Sequence, residues 1–221
     1  MSASAASIRD NLDRVRDRIA AACVRSGRDP KDVTLVAVTK YAEDAGVRAL
    51  IDLGHQDLGE SRAVEGSARA ARFGGDVRWH FIGRLQTNKA AKVAGAFQFI
   101  HSLDRPELAD DLEKKCAARN RILPAFVQVN VSGEPTKAGF RPDDVPAAVA
   151  AAQARPHLNV VGLMTMAPEG DPEAARPVFR RLRELAVRCG VTGLSMGMTG
   201  DFEVAIEEGA THIRVGTALF G

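Results

Sequence analysis

Lys40 stands at the end of an apolar run, Val33, Leu35, Val36, Ala37 and Val38, which reads as a strand buried on both faces. A lysine just past such a strand either reaches water or is held at a site. If it is partly withdrawn from water, its charged form is disfavoured and more free amine is available to attack a carbonyl. Two later stretches carry glycines and hydroxyls where a strand gives way to a helix. "GLSMGMTGDFEVAIEEG" places Ser195, Gly197, Met198, Thr199 and Gly200 there, and "HIRVGTALFG" repeats the arrangement with Gly216 and Thr217. Glycines let the backbone approach a ligand closely, and free N–H groups at a helix start bind anions. Taken singly these are turn glycines and hydroxyl caps; taken as a pair they read as a phosphate cup.

A reactive amine opposite a phosphate cup suits an aldehyde that carries a phosphate. Pyridoxal phosphate fits that description, and so does the sugar phosphate of a Schiff-base aldolase. Arg214 bears on the choice. Two residues before Gly216, it can point toward a pyridine nitrogen and keep it unprotonated, or it can serve in a structural ion pair. His80, within "WHFIG", is polar on an apolar strand and is either a satisfied barrel histidine or a ligand contact. "GRLQTNKA", Gly83 to Ala90, imitates a nucleotide P-loop but has Asn88 for the second glycine and Ala90 for the magnesium-binding hydroxyl. His55, His101, His157 and His212 show no metal-ligand spacing.

The elements that would position these residues alternate along the chain. Apolar runs of strand length lie at 33–39, 57–59, 77–82, 97–101, 124–131, 159–165, 193–198 and 212–216. Helical patterns lie at 43–53, 61–72, 86–94, 105–119, 142–154, 172–189 and 200–208, with Gly54 and Gly190 at helix ends. A first helix comes before them, with Ile8, Leu12, Val15, Ile19 and Ala22 on one face and Gly27 as its stop. The expected fold is α/β, a (β/α)8 TIM barrel with an extra N-terminal helix, and an open doubly wound sheet is the alternative. No linker divides the chain, so one domain is expected over 1–221, with the helix in 1–28 and the barrel in 33–221. In such barrels the chemistry sits at the C-terminal strand ends, and a phosphate site often follows strands seven and eight.

The bulk properties exclude several classes. The chain has 221 residues, 45% apolar and 26% charged, with a net charge of +2. These values fit a globular protein and leave no field to attract nucleic acid or an anionic membrane. "FRRLRELAVR", Phe179 to Arg188, reads as the solvated face of an amphipathic helix. Cys23, Cys116 and Cys189 are odd in number and widely spaced, which suggests neither zinc nor disulfides. Neither a signal peptide nor a membrane span is visible, so a cytoplasmic location is expected.

"VAVTK", "GESRAVE", "WHFIGRLQTNK", "VQVNVSGEPTKAGF", "GLMTMAP" and "LSMGMTGDFEVAIEEGATHIRVGTALFG" together resemble the pyridoxal phosphate homeostasis protein family, from about Val33 to Gly221. That family looks like a free-standing alanine racemase barrel. The resemblance implies a fold type III barrel holding pyridoxal 5′-phosphate as an aldimine on Lys40. It also implies a phosphate-binding turn at Ser195 to Thr199 and at Gly216-Thr217, and Arg214 at the ring nitrogen. Ser61 and Val64 replace an asparagine and a glutamine common in the family, and Thr199 replaces a serine. Relatives usually continue for several residues past Gly221.

A racemase of this architecture needs two bases on opposite faces of the substrate α-carbon. The single tyrosine, Tyr41, is adjacent to Lys40, and no length remains for a second, β-rich domain. The expectation is a carrier or regulator of cytosolic pyridoxal phosphate with little or no catalysis. Its partners would be the cofactor and pyridoxal phosphate-dependent apo-enzymes, and the protein would be a monomer. A small amino-acid racemase and a sugar-phosphate aldolase are the alternatives.

Overall fold

The computed structural model describes residues 5–134 and 136–221. Eight strands form a closed barrel: β1 (Thr34–Val38), β2 (Asp57–Glu60), β3 (Arg78–Phe81), β4 (Phe99–Leu103), β5 (Leu123–Gln128), β6 (Leu158–Met164), β7 (Gly193–Met198) and β8 (His212–Val215). All neighbours are parallel, and β8 closes on β1 with Thr34 opposite His212 and Ala37 opposite Val215. The pairing of β8 with β1 makes this a barrel rather than an open sheet. Leu35, Val36 and Ala37 of β1 are all buried, as a parallel strand covered on both faces requires.

The strands are joined by α2 (Asp44–Asp52), α3 (Ala63–Phe73), α4 (Ala90–Ala96), α5 (Pro106–Ala117), α6 (Val145–Gln153), α7 (Arg176–Arg188) and α8 (Phe202–Glu207). β8 is followed by α9 (Thr217–Phe220), a single turn that the sequence pattern does not reveal. The eighth place in the outer ring is filled from the other end of the chain. The N-terminal α1 (Ala5–Ser26) lies against α8, α2 and α9 and buries Ile8, Leu12, Val15, Ile19, Ala22 and Cys23. Arg18 forms a forked ion pair with Glu203 and stacks over Phe202, Arg25 reaches Glu207, and Asn11 donates to the Leu219 carbonyl at 2.9 Å.

On α7, Phe179, Leu182, Leu185 and Ala186 are buried, as the amphipathic pattern requires. Its arginine face is more than a solvated stripe, because Arg176, Arg180 and Arg183 converge on the buried Glu208 at 3.0–3.3 Å. Burial alone would raise the Glu208 carboxyl, and the arginines outweigh it and hold it below its usual range. All three cysteines are free thiols, pushed up by burial. Among the described residues, no helix is long and apolar enough to cross a membrane, and no cluster of ligating side chains could hold a metal ion.

Candidate functional site

The peptide that bears Lys40 is fixed on both sides. The buried Thr39 extends β1 by donating its N–H to the Gly59 carbonyl at 2.9 Å, and its hydroxyl donates to Glu60 Oε1 at 2.7 Å. From α3, Arg69 donates to Glu60 Oε1 at 2.8 Å, to the Thr39 carbonyl at 2.7 Å and to the Ala42 carbonyl at 3.0 Å. One guanidinium therefore bridges the carbonyls that flank Lys40 and neutralises the carboxylate beneath them. The lysine side chain itself is exposed, with Nζ 5.0 Å from the centre of the Tyr41 ring. Tyr41 is 80% exposed.

Lys40 faces a cavity of about 660 Å³ at the C-terminal mouth of the barrel. Val38 and Ile82 form its apolar side, and Met166 and Pro168 to Asp171 approach from the loop after β6. Met198 to Asp201 line it at the end of β7, and Arg214, Gly216 and Thr217 at the end of β8. The volume lies within the ~300–1,000 Å³ usual for small-molecule sites.

The β7 turn is built around Gly197 and Asp201. Gly197 has φ +91°, and a Cβ there would lie 2.6 Å from that of Ala205, so only glycine fits. The ladder between β7 and β8 shifts register at this point, between Ser195 and Met198, which opens the strand end toward the cavity. Asp201 accepts the Met198 N–H at 2.6 Å and returns its own N–H to the Met198 carbonyl at 3.1 Å. Burial raises the Asp201 carboxyl above its usual range, with the Met198 N–H and Arg214 opposing. On the other side, Gly216 lets β8 pass close to β1, since a Cβ would lie 3.3 Å from that of Val38. The first N–H groups of α9, at Thr217 and Ala218, have no acceptor within their own helix.

Arg214 is 5% exposed. It donates to Ser195 Oγ at 2.7 Å and to the Thr165 carbonyl at 2.9 Å. Burial lowers it to about 10, so it is a cation at neutral pH, with Asp201 supporting its charge. The site thus sets a fixed cation on the floor, an exposed amine at the rim and two glycine turns side by side on the wall.

Of the residues singled out by sequence, Lys40, Met198, Thr199, Arg214, Gly216 and Thr217 meet at this cavity. Ser195, Gly197 and His80 are not on its wall. Gly197 packs beneath α8. Ser195 is fully buried, with its hydroxyl between Arg214 and His101. His80 is likewise fully buried, stacked on Phe99 at 4.5 Å and bonded to Asp57 and His101, which is the arrangement of a satisfied barrel histidine. Sequence reading missed Arg69. Its one signal is that it falls beside Gly66 and Ala70 on the face of α3 that turns toward the barrel.

Residues 4–221 match the family model for the alanine racemase N-terminal domain. The chain is 41% identical over 220 residues to the pyridoxal phosphate homeostasis protein of Aquifex aeolicus (strain VF5), covering 96% of each. Among solved structures, PipY of Synechococcus elongatus PCC7942 with PLP bound superposes with a TM-score of 0.82 at 34% identity, covering 94% of this chain and 100% of that one. The alanine racemase of Clostridium difficile 630 shares the fold, with a TM-score of 0.76 at 13% identity over 97% of this chain and 56% of that one.

Proposed function

We propose a function on the premise that the chain belongs to the pyridoxal phosphate homeostasis protein family. The protein binds pyridoxal 5′-phosphate in the cavity at the barrel mouth and takes part in its homeostasis, holding and releasing the cofactor rather than using it for catalysis. The observation that carries this reading is that Lys40 and Arg214 face one cavity across paired glycine turns. When bound, the cofactor would supply an aldehyde, a phosphate and a ring nitrogen.

In this reading Lys40 would hold the cofactor at its aldehyde end through Nζ. Arg69 and Glu60 hold the backbone still beneath it, so the amine is presented from a fixed Cα by a mobile stem. The turns at Met198 to Gly200 and at Gly216-Thr217 receive the phosphate through backbone N–H groups and the hydroxyls of Thr199 and Thr217. Arg214 faces the ring nitrogen, where a guanidinium has donors and no acceptor. It therefore keeps that nitrogen unprotonated, which weakens the ring as an electron sink.

Two features favour a carrier over a racemase. Tyr41, the single tyrosine, lies beside Lys40 with its ring in contact range of the same amine, so it cannot act from the opposite face. The exposure of Lys40 leaves the covalent link open to water and to incoming amines, as exchange requires. The recipients in this reading are pyridoxal phosphate-dependent apo-enzymes of the cytoplasm.

The test is the visible absorption of the protein with pyridoxal phosphate, before and after borohydride, with peptide mapping of the reduced adduct. The expected result is a pyridoxyl group on Lys40 and no solvent deuterium at the α-carbon of added amino acids. An adduct confined to other lysines would remove the site, and steady α-proton exchange would make the protein a racemase.

A further inference from the structure

Below the cavity, the interior of the barrel is filled by rings where branched aliphatic side chains are usual. His80, His101, His212, Phe99 and Phe126 form one connected cluster, with neighbouring ring centroids 4.5–6.5 Å apart. Two of the imidazoles belong to an unbroken series of hydrogen bonds. Arg214 Nη1 lies 2.7 Å from Ser195 Oγ, and Ser195 Oγ lies 2.7 Å from His101 Nδ1. His101 Nε2 lies 2.9 Å from His80 Nδ1, and His80 Nε2 lies 3.0 Å from Asp57 Oδ1. Asp57, the first residue of β2, takes a second cation from Arg78 at 2.7 Å.

The chemistry of the two ends sets the direction of every bond. An ionised Asp57 only accepts, so His80 carries its proton on Nε2. A neutral His80 then accepts at Nδ1, which obliges His101 to donate from Nε2 and to accept at Nδ1. The proton on that last bond must come from the Ser195 hydroxyl. From the opposite end, a guanidinium only donates, so Ser195 Oγ must accept from Arg214. A hydroxyl can do both, and the two assignments meet at Ser195 without conflict. The surroundings agree with neutral rings. Burial lowers both histidines, His101 well below its usual value, with His212 and Arg214 adding to the effect at His101 and Asp57 opposing it at His80. Burial would raise the Asp57 carboxyl, but His80 and Arg78 outweigh it and keep it ionised.

We propose that Asp57, His80, His101 and Ser195 are positioning residues for Arg214. They form one polarised hydrogen-bond chain that orients the guanidinium toward the cavity from the opposite end of the barrel. An arginine side chain has several rotatable bonds whose freedom it must lose to present one orientation. The chain, together with the Thr165 carbonyl, removes that freedom before any ligand arrives. The role at the cofactor ring rests on the proposed function, whereas the chain itself does not.

Two readouts keep these apart. In the cofactor-free protein labelled with ¹⁵N, long-range histidine spectra are expected to show His80 and His101 as Nε2–H tautomers. The Nη protons of Arg214 are expected as separate, slowly exchanging signals. Ser195→Ala and His101→Phe should merge those signals, and His101→Gln, whose amide can accept and donate, should restore them. With pyridoxal phosphate added, the first two variants should shift the absorbance maximum and release the cofactor about tenfold faster, as loss of a hydrogen bond to a charged group implies. An Nδ1–H or doubly protonated ring, or unchanged Arg214 signals in Ser195→Ala, overturns the chain whether or not cofactor binds. Altered Arg214 signals with an unaltered cofactor spectrum overturn its role at the ring. A wild-type protein that takes up no cofactor removes the proposed function and leaves the spectra of the free protein to judge the chain.

Discussion

At the mouth of the barrel Lys40 hangs free in solvent from a backbone locked by Arg69 and Glu60, whereas beneath it His80, His101 and Ser195 are fully buried and locked at their side-chain tips. The same device, a charged group satisfied by several partners, serves opposite ends. At the rim it fixes where the side chain starts and leaves its end mobile. In the interior it fixes the end itself. A group that must take up and release a ligand needs the first arrangement, and a group that must present one unchanging charge needs the second.

The comparison breaks most visibly at Lys40. Lys40→Ala should abolish the borohydride-trapped adduct while leaving the melting temperature unchanged, because the side chain makes no buried contact. Reduced protein mapped by mass spectrometry and a thermal melt would show both. A drop in melting temperature would mean that the rim lysine also belongs to the frame. Arg69→Ala should do the reverse and unfold the rim. It leaves the buried Glu60 with only the Thr39 hydroxyl and deprives two carbonyls of a donor, which costs about 3–5 kcal/mol. Urea unfolding measures this directly, and cofactor capture by the variant should fall in parallel with its stability.

Acid sharpens the contrast, since the interior depends on neutral imidazoles. Burial lowers His80 and His101 and takes His212 to about 3. Unfolded histidine titrates near ~6.5, so below that pH the unfolded chain binds more protons than the fold. Stability should then be lost as pH falls from about 6.5 toward about 3, at up to ~1.4 kcal/mol per pH unit for each ring. Urea midpoints between about pH 8 and about pH 5 would show a plateau followed by a slope, and a flat profile would mean that the rings take up protons inside the barrel as readily as in the unfolded chain. Thr217→Ala is the mildest change. It should weaken cofactor retention by about 1 kcal/mol, the worth of one hydrogen bond, with no effect on folding. Unchanged affinity would remove that hydroxyl from the phosphate cup.

The barrel was legible in the sequence because its strands are short apolar runs punctuated by glycine and separated by helical periods. Even 57–59, the shortest run, corresponds to β2. Six of the candidate site residues meet at one cavity because strand ends in such a fold necessarily do. The partnerships could not be read in the same way. Ser195 looked like part of an anion turn, since its type and spacing match one. What turns it inward is a hydroxyl bond to His101, 94 residues away, and another to Arg214. The role of α1 was hidden for the same reason. Its periodicity announces a buried face and cannot say that α8 and α9, at the far end of the chain, provide the cover.

That placement of α1 has a consequence for synthesis on the ribosome. Arg18 must wait for Glu203, 185 residues further on, and Asn11 for Leu219, 208 residues further on. Until those residues emerge, α1 has α2 but neither α8 nor α9 for cover, and β1 waits for β8. Closure of the barrel is therefore later than the formation of any of its neighbouring strand pairs.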